Sequence, residues 1–588
     1  MLLAMPRRVR ILALAPALVL VTSAVLAGLP PTTRAAGVTL YVDGKHGSDR
    51  SSGRTWDEAL KTIQAAARKL PHDRQAAGWA IVVRGYVDYV YRERPVPGGY
   101  DRAGTAESPV VFTAEGWSPG ADDYVKPIVS GAWLAPKPGR RWQADAVSGV
   151  WFTAWDRAPI GFDRSKPYSA AVFQDVTTLL WQHASLADLR SKASRGDGGY
   201  WWDSAADRLY VATWGGVGPG KVTIDVPISK GFYFSGDDGS HHVSVRGFEV
   251  RHTELGITFH LGADHSSALD NVAIGNTPFA FGTSGRRTGA GADLGTGNSF
   301  LRNVAKWNTL QGFKIDHGSK DTVICDNVVE RNGLQGVKVQ GSVLGPSDPR
   351  ITSGTEICRN VLARQSVRRP GAGRSDEQPN GLTISNGARR SLVHDNIIRD
   401  NIVGIQMNHR GDGSPLAGTR LIRNEIHGNR SSGLSLRDGV ANASDGSGSL
   451  FASHNLYWAN GVGIAIAEGS TNKTFAHETV YDNASDGMQI GCGCGSGRAS
   501  VTVTSSLITH NGRHGVRVAS GNRATLAYLG LPANSSGGLA GSATKTRLNT
   551  RPAGYISQSP ADADFLRISQ SSFQFTAGPD GSPIGALY

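Results

Sequence analysis

Within Asn327-Val-Val-Glu-Arg-Asn332-Gly-Leu-Gln-Gly336-Val-Lys-Val339, an Asn, a short turn, a Gly and an apolar–x–apolar triplet follow one another. The phrase returns at Asn308–Gly312, Asn401–Gly404, Asn429–Gly433, Asn460–Gly463, Asn483–Gly487 and Asn511–Gly515. A fixed short period marks one structural unit stacked on itself. A unit of about 22–30 residues with one turn and one strand cannot bury its own apolar face, so it must lie on its neighbours. No helical period runs through the repeats, and each unit reads as one coil of a parallel β-helix. Such a stack displays a row of outward side chains at equivalent strand positions.

Composition agrees with this architecture. The 588 residues include 75 Gly and only 4 Met, which suits tight turns and short strands better than helical bundles. The first residues predict a cleaved export signal, residues 1–36: Arg7, Arg8 and Arg10, an apolar run from Ile11 to Leu29 broken by Pro16, then small residues at Ala27 and Ala35-Ala36. The alternative is a membrane anchor, since the run approaches spanning length. The expectation is a secreted, monomeric protein with no membrane segment after cleavage. Net charge is +12, and removing Arg7, Arg8, Arg10 and Arg34 leaves +8. That balance suits an acidic polysaccharide partner. No basic run or recognition motif points to nucleic acid.

Residues 37–129 read as an N-terminal cap and first coils. The cap contains a helix over Trp56–Leu70, with Ala59, Leu60, Ile63, Ala66 and Leu70 on one face. Residues 130–235 hold Trp133, Trp142, Trp151, Trp155, Trp181, Trp201, Trp202 and Trp214, and read as an inserted β-rich module. Its tryptophans form either a sugar-stacking platform or a small core. Residues 236–530 are the coil stack and 531–588 a closing segment. Cys325 and Cys358 hold the same place in successive repeats, roughly one strand spacing of 4.8 Å apart, which suits a disulfide or a stack of thiols. Cys492 and Cys494 supply too few ligands for zinc.

Two stretches give the chain a family likeness. One is Tyr41-Val-Asp-Gly44 with Gly47-Ser-Asp49, Trp56 and Lys61-Thr-Ile-Gln-Ala65, and the other is the repeat itself. On these the chain resembles the pectate-lyase-like right-handed parallel β-helix superfamily. The resemblance implies an all-β fold of about ten coils, and it spans polysaccharide lyases, β-helix glycoside hydrolases, alginate epimerases and phage adhesins. Ala171-Val-Phe-Gln-Asp175, Gly199-Tyr-Trp-Trp-Asp203 and Val245-Arg-Gly-Phe-Glu-Val250 look like the corresponding stretch of β-helix glycoside hydrolases. Those enzymes need two carboxylates on neighbouring coils, whereas the comparable positions here are Asp316 and then Lys338 and Gln340. Gly312-Phe-Lys-Ile-Asp-His-Gly318 is similar to the Asp-Pro-His-Asp stretch of alginate epimerases, without the proline and the final acid. The aspartates of calcium-dependent pectate lyases are missing, with Leu310, Gln311 and Lys314 in their place. A calcium requirement is left open.

The outward row is read as Thr258, Lys314, Lys338, Thr383, Gln406, Ser435, Ala465, Gln489 and Arg517. Beside it runs His260, Asp316, Gln340, Ser385, Asn408, Arg437 and Ala467. Stacked lysines repel, and like charge favours the neutral amine. β-Elimination on a uronate needs a base for the C5 proton and a cation for the charge growing on the carboxylate. The reading makes Lys338 the base and Lys314 or Arg410 the neutralising cation, with Asp316 and His317 as orienters or acid. His317 serves equally as base. His260, Gln340, Gln406, Asn408, His409, Arg410 and Arg437 are assigned to substrate binding. A hydrolase would instead pair Asp316 with Asp376 or Glu377 of the charged loop 366–380, and a non-catalytic glycan binder needs only the groove and the Trp-rich module.

Overall fold

The computed structural model describes residues 37–163, 171–285, 295–341, 351–365, 378–408, 417–437, 449–493 and 497–587. Each full coil holds three strands. In one coil these are Gln335–Gln340, Glu356–Cys358 and Val361–Ala363, and the next coil begins at Asn380–Ser385. The long strands form a twelve-stranded sheet from Lys230–Ser235 to Leu539–Ala540. The shorter strands form the other walls, every neighbour parallel and in register. This is the parallel β-helix expected, with more rungs than the repeats alone count.

The glycines of the repeat are needed for close approach between coils. A Cβ on Gly336 would lie 2.6 Å from the carbonyl oxygen of Gly381, and one on Gly404 2.5 Å from that of Gly433. The repeat asparagines explain the same bend. Asn401 Nδ2 donates to Asn429 Oδ1 (3.2 Å), Asn429 Nδ2 to Asn460 Oδ1 (2.9 Å), and Asn460 Nδ2 to Asn483 Oδ1 (3.1 Å). Each Oδ1 also accepts the backbone N–H of the previous asparagine. The ladder thus satisfies bend donors that no strand reaches. A second ladder runs through Asn327, Asn360, Asn396, Asn424 and Asn455 at the bend between the two short walls. Before these asparagines, left-handed residues alternate in sign, so stacking pairs Arg302 with Asp270, Arg359 with Asp326 and Arg423 with Asp395.

The interior is apolar throughout, from Phe259, Phe281, Phe300 and Phe313 to Val337, Ile384 and Ile405. Phe281 and Phe313 stack at 4.8 Å between centroids. Cys325 and Cys358, paired in register, are disulfide-bonded with a Cα–Cα distance of 4.6 Å. Cys492 is also disulfide-bonded, and Cys494 lies outside the described residues.

The capping helix covers Ile63–Lys69, shorter than predicted. Thr62 caps it by accepting from Ala65 N–H, and Asp49 accepts from the N–H groups of Lys61 and Thr62, so the chain before Thr62 is held as turns. Trp56 packs on Tyr41 and carries the Arg84 guanidinium over its ring. The Trp-rich region forms two four-stranded antiparallel sheets, ending at the strand Ile224–Pro227. Trp155 and Trp181 are buried in its core, and Trp133 and Trp214 are exposed. The predicted signal, 1–36, lies outside the described residues. Among those described, no helix is long and apolar enough to cross a membrane.

Candidate functional site

The outward side of the twelve-stranded sheet carries the candidate residues. Lys314 and Lys338 sit opposite each other on adjacent strands, Gln311–Asp316 and Gln335–Gln340. Lys338 continues in register to Thr383, then to Gln406 and Ser435. In the neighbouring row, Gln340 pairs with Ser385, Ser385 with Asn408 and Asn408 with Arg437. Thr383, Ser385, Gln406 and Ser435 point away from the core yet are buried, so this face is a recess rather than open surface. The predicted rows need one correction. They step from Thr258 and His260 directly to Lys314 and Asp316, whereas the strand Phe279–Ser284 places Gly282 and Ser284 between. In that strand Ala280 takes the close-approach position used elsewhere by Gly, which hides the register.

The cluster centres on Asp316, which is 3% exposed. Its Oδ2 lies 2.8 Å from Lys314 Nζ and 3.3 Å from His317 Nε2. His317 is left-handed, and this turn brings its ring back onto Asp316. Ser319 Oγ donates to the Asp316 carbonyl, and Thr352 Oγ1 to that of Gln340. His260 faces the same cluster. Burial lowers its pKa to about 4, and Lys314, Lys230 and His317 push the same way against Asp316. It is therefore a neutral imidazole near neutral pH, and its Nδ1 is buried without a hydrogen-bond partner. Its ring lies 5.7 Å from Tyr233, over which Lys230 Nζ sits at 3.8 Å.

Lys314, Lys338, Asp316, His317 and His260 thus come together, and Gln340, Gln406, Asn408 and Arg437 continue the strip. His409, Arg410, Asp376 and Glu377 lie outside the described residues. Sequence reading missed Lys230 and Tyr233. Their strand reads Gly231-Phe-Tyr-Phe234, the repeat's glycine and apolar–x–apolar triplet without its asparagine. Among the described residues, the groups of His, Cys, Asp and Glu close enough to share an ion lie elsewhere. The two lysines beside the single carboxylate do not fit a bound calcium ion, which requires several oxygen ligands.

Comparison with known proteins supports the architecture. A family model described as "right handed beta helix region" matches residues 380–546. No curated protein sequence matches the chain. The chain is similar to a structure of XylC in complex with xylose, with 12% identity, 86% of each chain covered and a TM-score of 0.52. It also resembles a glycoside hydrolase, at 11% identity, 87% and 97% coverage and a TM-score of 0.45. A third likeness is the A-module of a mannuronan C-5 epimerase from Azotobacter vinelandii, at 12% identity, 53% and 84% coverage and a TM-score of 0.41. At these identities the first likeness bears on the fold, a right-handed parallel β-helix, and the other two overlay too loosely to be argued from.

Proposed function

We propose that this protein acts on a polysaccharide, cleaving a uronate-containing chain by β-elimination. The observation that carries the reading is the in-register Lys314–Lys338 pair beside buried Asp316. Lys314, held by Asp316, is a fixed cation for the sugar carboxylate. Lys338, opposite Lys314 on the adjacent strand, takes the C5 proton as the general base. The C5–H electron pair becomes the C4–C5 double bond as the C4–O bond breaks. The leaving oxygen takes a proton from His317, which Asp316 orients. Gln340, Gln406, Asn408 and Arg437 run along the strip as hydrogen-bonding positions for further sugar units.

The chain acts as a secreted monomer. The signal-like start and a disulfide suited to an oxidising compartment support export, which N-terminal sequencing of the exported protein tests. The activity is tested by incubation with pectate, alginate, hyaluronan and neutral xylan. Rising absorbance from unsaturated uronate ends on an acidic glycan is the expected result. New reducing ends without that absorbance would replace the lyase with a hydrolase using Asp316, and retention on a glycan without cleavage would leave a binding protein.

A further inference from the structure

Away from the sheet face, two successive coils place paired dipeptides on one another. His241-His242 leads into the strand Val243–Arg246, and Asp264-His265 leads toward the adjacent strand Ser267–Leu269. The His242 N–H donates to the Asp264 carbonyl at 3.0 Å. The His242 and His265 rings stack at 5.0 Å between centroids and 18° between planes. One donor atom from each of His242, Asp264 and His265 lies within 4.8 Å of the others.

We propose that His242, Asp264 and His265 bind a divalent transition-metal ion of the zinc class. Tetrahedral zinc with bonds near 2.1 Å separates its donors by about 3.4 Å, and Asp264 Oδ1 lies 3.5 Å from His265 Nδ1. The His265 side chain is 52% exposed, so its ring is free of the packing that would fix it and the site opens to solvent. His241 Nδ1 contacts the same carboxylate at 2.7 Å and fixes its direction, as outer-sphere partners of metal ligands do. Two imidazoles and one carboxylate suit zinc or cobalt rather than calcium. The chain supplies its own control. His454 and His477 stack similarly, at 4.9 Å and 9°, but among the described residues no carboxylate or thiol completes a group with them.

The test uses untagged, chelator-stripped full-length protein titrated with cobalt(II), followed by visible absorption and displacement by zinc. One cobalt per chain and a zinc-dependent rise in Tm of about 3 °C or more are expected. Asp264→Asn and His265→Gly should each weaken binding at least about tenfold, and His454→Asn should leave it unchanged. His265→Gly preserves the bend, because the next coil has Gly297 there. Absence of stoichiometric cobalt binding to the wild type, or binding by folded His265→Gly equal to wild type, overturns the proposal.

Discussion

Two polar strips run along this stack of coils, and they treat buried polar atoms in opposite ways. At the bends, Asn401, Asn429, Asn460 and Asn483 pass hydrogen bonds from coil to coil, with both oxygen and amide engaged. On the outer sheet face, Thr258 Oγ1, His260 Nδ1, Ser385 Oγ, Asn408 Oδ1 and Arg437 Nε are buried without a partner. Unpaired buried polar groups cost about 1–3 kcal/mol each. A fold that closes one strip completely and leaves the other open spends stability where a ligand with many hydroxyl groups supplies the missing bonds. The asparagine ladders hold the fold, and the open sheet face is where the proposed glycan would find its hydrogen bonds.

The largest expected effect breaks that comparison at the sheet. Lys338→Ala and Lys314→Ala should each lower the elimination rate by roughly 10³-fold, with the Lys338→Ala urea midpoint close to wild type and that of Lys314→Ala lowered by the loss of Asp316's partner. Retained activity in either variant would remove it from the chemistry. Next comes stability at the bend. Asn429→Leu strips the acceptor from the Asn401 N–H and amide and should cost about 3 kcal/mol in urea unfolding. Asn408→Leu on the sheet removes an oxygen that has no partner, so stability should stay within about 1 kcal/mol of wild type while glycan binding weakens. Equal losses at the two sites would mean the strips do not differ.

The coil stack was legible because one phrase carries both of its devices. The asparagine builds the ladder and the glycine permits the coils to touch, so reading Asn332–Gly336 amounts to reading a bend and a contact together. Register failed where the phrase is degenerate. Asn276-Thr-Pro-Phe-Ala-Phe281 keeps its asparagine but has Ala280 for glycine, and Gly231-Phe-Tyr-Phe234 keeps its glycine without the asparagine. The Lys314–Asp316 contact followed from period-two alternation on one strand. The place of His260, two strands away from Asp316, depended on counting the rung that had been missed. The helix start was obscured because Asp49, far back in sequence, holds the N–H groups of Lys61 and Thr62. No local pattern announces His394 beside Glu356, for that contact spans coils, whereas Asp395 is simply its neighbour in sequence.

That histidine offers a smaller effect on the bend side. His394 Nδ1 lies 2.6 Å from Asp395 and Nε2 2.9 Å from Glu356. These bonds raise its pKa to about 9. A folded pKa above the unfolded value contributes stability in full below about pH 6.5, lost as pH rises through the folded value. Wild type should therefore lose on the order of 2 kcal/mol more than His394→Gln between about pH 6.5 and about pH 9.5, read as the difference in urea midpoints. Parallel curves would show that the histidine is not charged in the fold. At the acid end Asp395, lowered to about 2, works in the opposite sense, its contribution present above the unfolded carboxylate pKa and lost as pH falls through the folded value.

The smallest effect sharpens the comparison within the ladder itself. Where the second ladder reaches Glu478, a carboxyl group replaces the amide. Its oxygens accept from Asn455 N–H at 2.9 Å and Asn455 Nδ2 at 3.2 Å. The residue is fully buried, and burial raises its pKa well above the usual carboxylate range, which favours the protonated form in the fold. Unfolded chains release that proton above about pH 4.3, which costs the fold stability as pH rises. The first ladder shows the remedy. Gln365 takes an asparagine's place there, its oxygen accepting from Asn332 N–H and Nδ2 and its amide donating to Val329 and Ala363 carbonyls. Glu478→Gln should raise stability by about 1 kcal/mol near neutral pH, with the gain vanishing below about pH 4. A gain that persists undiminished in acid would mean that packing, rather than the proton, separates the two side chains.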